Sequence, residues 1–139
     1  IITGFCGETE EEHQDTLSIM DLVAYDFAYM FKYSERPKTL AERRFSDDVP
    51  EEVKSRRLNE IIEKQLSHSL KSHQQQLGSL QKVLVEGPSK RSDDFYCGRN
   101  GRNSMVVFPK DSAEKGQYVI VRIEDCTSAT LRGKIEQYV

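Results

Sequence analysis

The stretch from Ile1 to Thr39 limits the possible folds of this chain more than any other. Ile1-Ile2-Thr3-Gly4-Phe5 reads as a buried strand, and Gly4–Thr9 as a tight turn. Thr9–Ala24 has helical periodicity, and Phe27–Tyr33 alternates as a second strand. A strand, a crossover helix and a second strand make one right-handed βαβ unit with parallel strands. Two strands are too few to bury themselves, because independent stability usually takes three or more. With no Met at position 1, the expectation is a piece cut from a larger sheet.

The flanking signals agree with these elements. Thr9 can cap the helix while Glu12 reaches back, and Glu10 and Glu11 suit the positive end of its dipole. Leu17, Met20, Val23 and Ala24 recur at helical spacing and are expected to pack on the sheet. Both faces of Phe27–Phe31 are apolar, as in a strand covered on both sides. Ser34–Val49 reads as a loop with one helical turn near Leu40–Arg44. Asp48 and Glu51 form a second capping pair, with Pro50 inside the first turn. Val53, Leu58, Ile61, Ile62, Leu66 and Leu70 then mark a long connecting helix with an apolar packing face, ending near Gly78.

From Leu80 the period changes to that of short strands: Leu80–Glu86, Phe95–Cys97, Ser104–Phe108, Gln117–Asp125 and Ala129–Ile135. Gly87-Pro88, Gly98–Gly101, Pro109–Gly116 and Thr127-Ser128 separate them. Val119, Val121 and Ile123 point one way, and Ile120, Arg122 and Glu124 the other. Five short strands in so few residues favour a small closed barrel of the oligonucleotide-binding type, because closure removes exposed edges.

Composition narrows the function classes. At 139 residues, 31% charged and 37% apolar, the chain has room for one domain or a small domain plus a fragment. No apolar run approaches the roughly 20 residues that cross a bilayer, and no signal-peptide pattern is present. Cys6, Cys97 and Cys126 fit neither a disulfide framework nor a metal-site spacing. Residues 1–76 carry 10 Lys/Arg against 15 Asp/Glu, whereas residues 77–139 carry 10 against 8. A mildly basic second half on an acidic first half is consistent with a phosphate contact.

Several residues are candidates for function. Gly4-x-x-Gly7 lies between strand and helix, where backbone can approach an anionic ligand, and Glu8 can accept a hydrogen bond there. A plain tight turn reads the same way. Arg36, Lys38 and Tyr33 follow the second strand, at the end where parallel sheets bind ligands, though a solvated loop reads alike. His13, His68 and His73 are expected on exposed helix positions, with no metal or catalytic role. No serine nucleophile motif or P-loop occurs. Lys90, Arg91, Arg99, Arg102, Lys110, Arg122 and Arg132 gather at turns and strand ends, with Phe95, Tyr96, Phe108 and Tyr118 as candidate ring faces. Cations along a backbone and rings under bases are how such barrels hold single-stranded RNA. Scattered surface charge around core aromatics gives the same pattern.

Ordered blocks carry a resemblance. Gly4-Phe5-Cys6-Gly7-Glu8-Thr9-Glu10, Phe31-Lys32-Tyr33-Ser34-Glu35-Arg36-Pro37-Lys38-Thr39, Val49–Lys54 and Arg57-Leu58 resemble the C-terminal half of radical-SAM methylthiotransferases. Val85–Lys90, Gly98-Arg99-Asn100, Val106-Val107-Phe108-Pro109 and Leu131-Arg132-Gly133 are similar to their TRAM domain. The block at Tyr33–Thr39 and the ending Leu131-Arg132-Gly133 resemble the tRNA-acting branch more than the branch acting on a ribosomal protein. Cys6 stands where the family often has Pro, and Asn100 where Thr is common.

The resemblance implies an α/β remnant of a radical-SAM, partial TIM-like barrel over 1–46, a linker helix over 47–78, and an OB-like TRAM barrel over 79–139. It implies a cytoplasmic enzyme that adds a 2-methylthio group to N6-isopentenyladenosine beside the tRNA anticodon. That enzyme uses S-adenosylmethionine and two [4Fe–4S] clusters, whose cysteine ligands lie in family segments N-terminal to this chain. Gly4, Gly7 and Glu8 then border the S-adenosylmethionine site, and Lys90, Arg91, Arg99, Arg102 and Arg132 contact RNA phosphate. The fragment alone is expected to be inactive and to position tRNA through the anticodon stem-loop. Two alternatives stay open: a ribosomal-protein substrate, or a non-catalytic RNA-binding module.

Overall fold

The computed structural model describes residues 1–90 and 92–139, so Arg91 lies outside the described residues. The chain divides into two compact units, Ile1–His68 and Ser69–Val139. The division falls inside the long helix, where the sequence placed a separate linker over 47–78.

In the first unit, β1 (Ile2–Thr3) and β2 (Phe31–Lys32) pair in parallel, in register Ile2↔Phe31 and Thr3↔Lys32. The parallel pairing is as expected, but the ladder is far shorter than the strands read from the sequence. Phe27 and Tyr29 are 64% and 71% exposed rather than covered on both faces. Alternation encodes fitness for burial, whereas ladder length depends on a neighbour, and among the described residues β1 is the single strand paired with β2.

Helix α1 (Glu10–Val23) carries the expected capping box: Thr9 Oγ1 accepts from the Glu12 N–H at 3.2 Å, and Glu12 Oε2 accepts from the Thr9 N–H at 2.8 Å. Thr9→Ala is expected to cost about 1 kcal/mol, read as a lowered urea midpoint with an unchanged m-value. The helix buries His13 and Met20 and leaves Leu22 and Val23 exposed. The expected short turn is present as α2 (Leu40–Arg44).

Helix α3 (Glu51–Gln74) differs most from expectation. Its buried positions include Lys54, Arg57, Ile61, Gln65, Ser69 and Ser72, a largely polar stripe at steps of three and four. Leu66 and Leu70, in the expected apolar face, keep 47% and 36% exposure. Polar side chains bury when their partners are also inside, which periodicity of apolar residues does not register. His13 and His73 are buried and His68 half-buried, correcting the expectation that all three are exposed.

The second unit is a closed barrel in the order β3-β4-β5-β7-β6. Its strands are β3 (Leu80–Ser89), β4 (Ser92–Asn100), β5 (Met105–Pro109), β6 (Tyr118–Cys126) and β7 (Leu131–Tyr138). The parallel pair Val106↔Leu131 and Val107↔Arg132 completes closure. Val83, Val85, Val106, Phe108, Val119, Val121, Ile123 and Leu131 fill the interior, with the expected inward phase on β6. Two separators read from the sequence are instead inside strands. β3 runs through Gly87-Pro88 by register shifts, the sheet position that tolerates proline, and β4 includes Gly98 and Asn100.

Candidate functional site

On the barrel, strand register decides which sequence-marked cations meet. Arg99 on β4 pairs with Leu84 on β3, and Leu84 pairs on its other side with Tyr118 on β6. Arg132 lies two strands from β4, beside Val107, which pairs with Cys97. The Cys97 thiol is pushed up by burial and by Glu86, while Arg99 and Lys90 pull it down, so both cations stand near this part of β4. Arg99 donates to the Asn103 carbonyl at 2.9 Å and lies 3.8 Å from Glu86.

Arg102 sits beyond β4, in a turn built by the buried Asn100. Asn100 Oδ1 accepts from the Arg102 and Ser104 N–H groups at 3.1 and 2.9 Å. Its Nδ2 donates to Gln76 and Gln81 at 3.0 and 3.1 Å. The departure from the family's common Thr is thus a satisfied turn-forming amide. Nothing in the local sequence names its glutamine partners.

Other cations of the barrel separate by whether a carboxylate already neutralises them. Arg122 is held by Glu136, Lys134 by Glu124 at 3.1 Å, and Arg132 lies 4.0 Å from Asp125. Among the described residues, Lys82, Lys90, Lys110 and Lys115 have no carboxylate partner. Two of them cap rings: Lys82 Nζ stands 4.6 Å from the Tyr118 ring centre, and Lys110 Nζ 5.4 Å from that of Tyr96. Lys110 and Lys115 line an open depression of about 400 Å³ over Tyr96 and Ala113. Phe108 is fully buried and offers no ring face, correcting its candidacy. Sequence reasoning passed over Lys82. Alternation puts it outward on β3, but the ring beside it is visible only from the β3–β6 register.

In the first unit the Gly4–Glu8 turn is held from within. Glu8 Oε1 accepts from Arg57 Nη1 at 2.8 Å, from the Gly4 N–H at 3.0 Å and from the Thr3 hydroxyl at 3.2 Å. Arg57 also donates to the Glu8 carbonyl and to Glu10 Oε2. The Gly7 N–H donates to Asp48 Oδ1 at 2.7 Å, the role found for a residue expected to cap α3. A Cβ on Gly4 would meet Lys54 Cγ at 2.5 Å, so that glycine is required by packing. Lys54 is itself buried and paired with Asp47 at 2.6 Å. Beside the turn is an open depression of about 290 Å³, lined by Phe5, Cys6, Gly7, Glu8, Glu12 and Thr16.

Glu10, His13 and Glu60 form, among the described residues, the one group of three metal-type donors. Arg56 already bridges Glu10 and Glu60 at 2.6 Å each, and His13 Nε2 bonds Glu60 at 2.6 Å. The bond to Arg56 holds the Glu10 carboxyl down at about 2. A guanidinium therefore fills the place a cation would take. None of the three cysteines belongs to that group. No helix among the described residues is long and apolar enough to cross a membrane.

Residues 74–135 match the family model for the TRAM domain. The chain is 56% identical to the tRNA-2-methylthio-N(6)-dimethylallyladenosine synthase of Amoebophilus asiaticus over 135 residues, 97% of this chain and 28% of that protein. The synthase of Christiangramia forsetii is 54% identical over 96% of this chain and 28% of its own length, and that of Chloroherpeton thalassium 50% over 96% and 30%. The chain thus spans less than a third of the length of the curated relatives it matches. Barrel topology, the matched domain and end-to-end similarity agree: the chain carries a TRAM domain and is similar throughout to part of the tRNA-2-methylthio-N(6)-dimethylallyladenosine synthases.

Proposed function

We propose that this chain is the C-terminal, tRNA-positioning part of a cytoplasmic radical-SAM methylthiotransferase acting on an isopentenylated adenosine beside the anticodon. The observation that carries the reading is a closed barrel built from residues matched as a TRAM domain. Lys90, Arg99, Arg102 and Arg132 supply phosphate contacts in this reading, with Arg91 outside the described residues. The first unit is the end of the radical-SAM barrel, completed by preceding segments of the same polypeptide.

The residues present do not fit the two [4Fe–4S] clusters, since the cysteines lie far apart in sequence and, among the described residues, share no three-donor group. Cluster ligation and the radical step therefore belong to other segments, and the chain alone is expected to transfer no methylthio group. Nor does the Gly4–Glu8 turn fit a direct grip on S-adenosylmethionine, because Glu8 Oε1 and the Gly4 and Gly7 N–H groups are spent internally. At that site these residues set the shape of a border.

The test is binding of an isopentenylated anticodon stem-loop RNA to the chain across salt concentrations. Log affinity is expected to fall linearly with log salt, by about 0.7 to 0.9 per phosphate contacted. Arg99→Ala and Arg132→Ala are each expected to reduce that slope by about 1 and to weaken binding uniformly across RNA sequences. An affinity that ignores salt would refute the reading.

A further inference from the structure

We infer that Tyr118 and Lys82, on the outer wall of β3 and β6, form a base-stacking subsite in which an unpaired RNA base lies on the tyrosine ring and Lys82 takes the adjoining phosphate. The inference rests on the RNA-binding reading and adds a subsite that the arginine and lysine candidates did not include.

Three observations converge on this wall. The first is register: Arg99, Leu84 and Tyr118 stand side by side on β4, β3 and β6, and directly paired Cα atoms are roughly 5 Å apart. A cation, an exposed aliphatic residue and a half-exposed ring thus share one row across about 10 Å. Leu84 is 37% exposed and Tyr118 45%.

The second is charge. On β6 and β7 the cations face acids: Arg122 with Glu136, Lys134 with Glu124 and Arg132 with Asp125. Lys82, in contrast, rests on the Tyr118 ring, and no carboxylate neutralises it among the described residues. A phosphate can take this ammonium without first displacing a carboxylate. Glu86 is the acid of the β3 outer face, and it stands nearest Arg99.

The third is continuity. Further along β3, the Lys115 stem passes 3.9 Å from the position of a Cβ on Gly87, and Lys90 follows in the next turn. From Lys82 to Lys90 an extended strand covers about 26 Å, a track on the scale of the several nucleotides that one such barrel holds. An exposed ring at one end of a cationic track is the arrangement that stacks bases without reading their edges. A protein partner would not require the ring itself.

The test is fluorescence anisotropy of a labelled anticodon stem-loop RNA with the whole chain and its variants at fixed and varied salt. Tyr118→Ala is expected to weaken binding about fivefold to a hundredfold with the salt slope unchanged, and Tyr118→Phe to bind as the parent does. Lys82→Ala is expected to lower the slope by about 0.7. If a melt shows Tyr118→Ala to be unfolded, Tyr118→Leu, which fills the space without a ring, decides by the same measure. A loss smaller than about fivefold in the folded variant overturns the inference. Should the parent chain bind with salt dependence and lose affinity on Arg99→Ala but not on Tyr118 replacement, this subsite alone falls. Should the parent chain bind no RNA, the RNA reading falls with it.

Discussion

Gly133→Ala is expected to destabilise the barrel by at least about 3 kcal/mol, the upper end of overpacking costs. A Cβ at this position would stand 1.9 Å from the Arg122 carbonyl oxygen and 2.9 Å from Val121 Cγ1. The first obstacle is backbone on the neighbouring strand, so no rotamer change relieves it. β6 must draw away from β7 where the ladder pairs Ile123 with Gly133. Gly98→Ala meets the same difficulty, with the Leu84 carbonyl oxygen at 2.1 Å. Gly101→Ala is the control: nothing lies within 4 Å of its Cβ position, and its effect is expected within about 0.5 kcal/mol. Thermal melts by circular dichroism should show Gly133→Ala and Gly98→Ala shifted down by more than about 10 °C. A Gly133→Ala chain melting with the parent would mean that β6 and β7 are not packed as described.

Arg57→Ala is the second large effect, about 3 kcal/mol in the first unit, at the lower end for removing one partner of a buried ion pair. Arg57 is 4% exposed and makes three donations, to the Glu8 carboxylate, the Glu8 carbonyl and Glu10. Its removal leaves a half-buried carboxylate with only the Thr3 hydroxyl and the Gly4 N–H. Arg57→Lys restores charge but not the fork, and is expected to recover part of the loss. Hydrogen exchange in α1 is the readout, and protection equal to the parent's would rule the clasp out. Acid acts on the same network through Glu10. Because Glu10 is held at about 2 by its bond to Arg56, its stabilising charge is fully present above about pH 4.5 and is lost as pH falls through about 2.

Features set by neighbours in the chain were legible in the amino-acid string. The Thr9–Glu12 capping box, the turn at Leu40–Arg44, the inward phase of Val119, Val121 and Ile123, and a five-stranded barrel all depend on spacings of a few residues. Family blocks such as Val106–Pro109 added what periodicity does not carry. The polar burial of α3 was not legible, because Lys54 and Arg57 become interior only when Asp47, Glu8 and Glu10 are folded against them. Likewise Gly98 looked like a turn residue until the carbonyl of Leu84 was placed against it. The site followed the same division. Arg99 and Arg132 were marked as cations by type and position, whereas the pairing of Lys82 with Tyr118 arose from which strand lies beside which. Spacing along a chain reports backbone preference and the phase of burial. Partner choice for a charge or a ring is a contact between residues tens of positions apart, and only closure of the sheet brings them together.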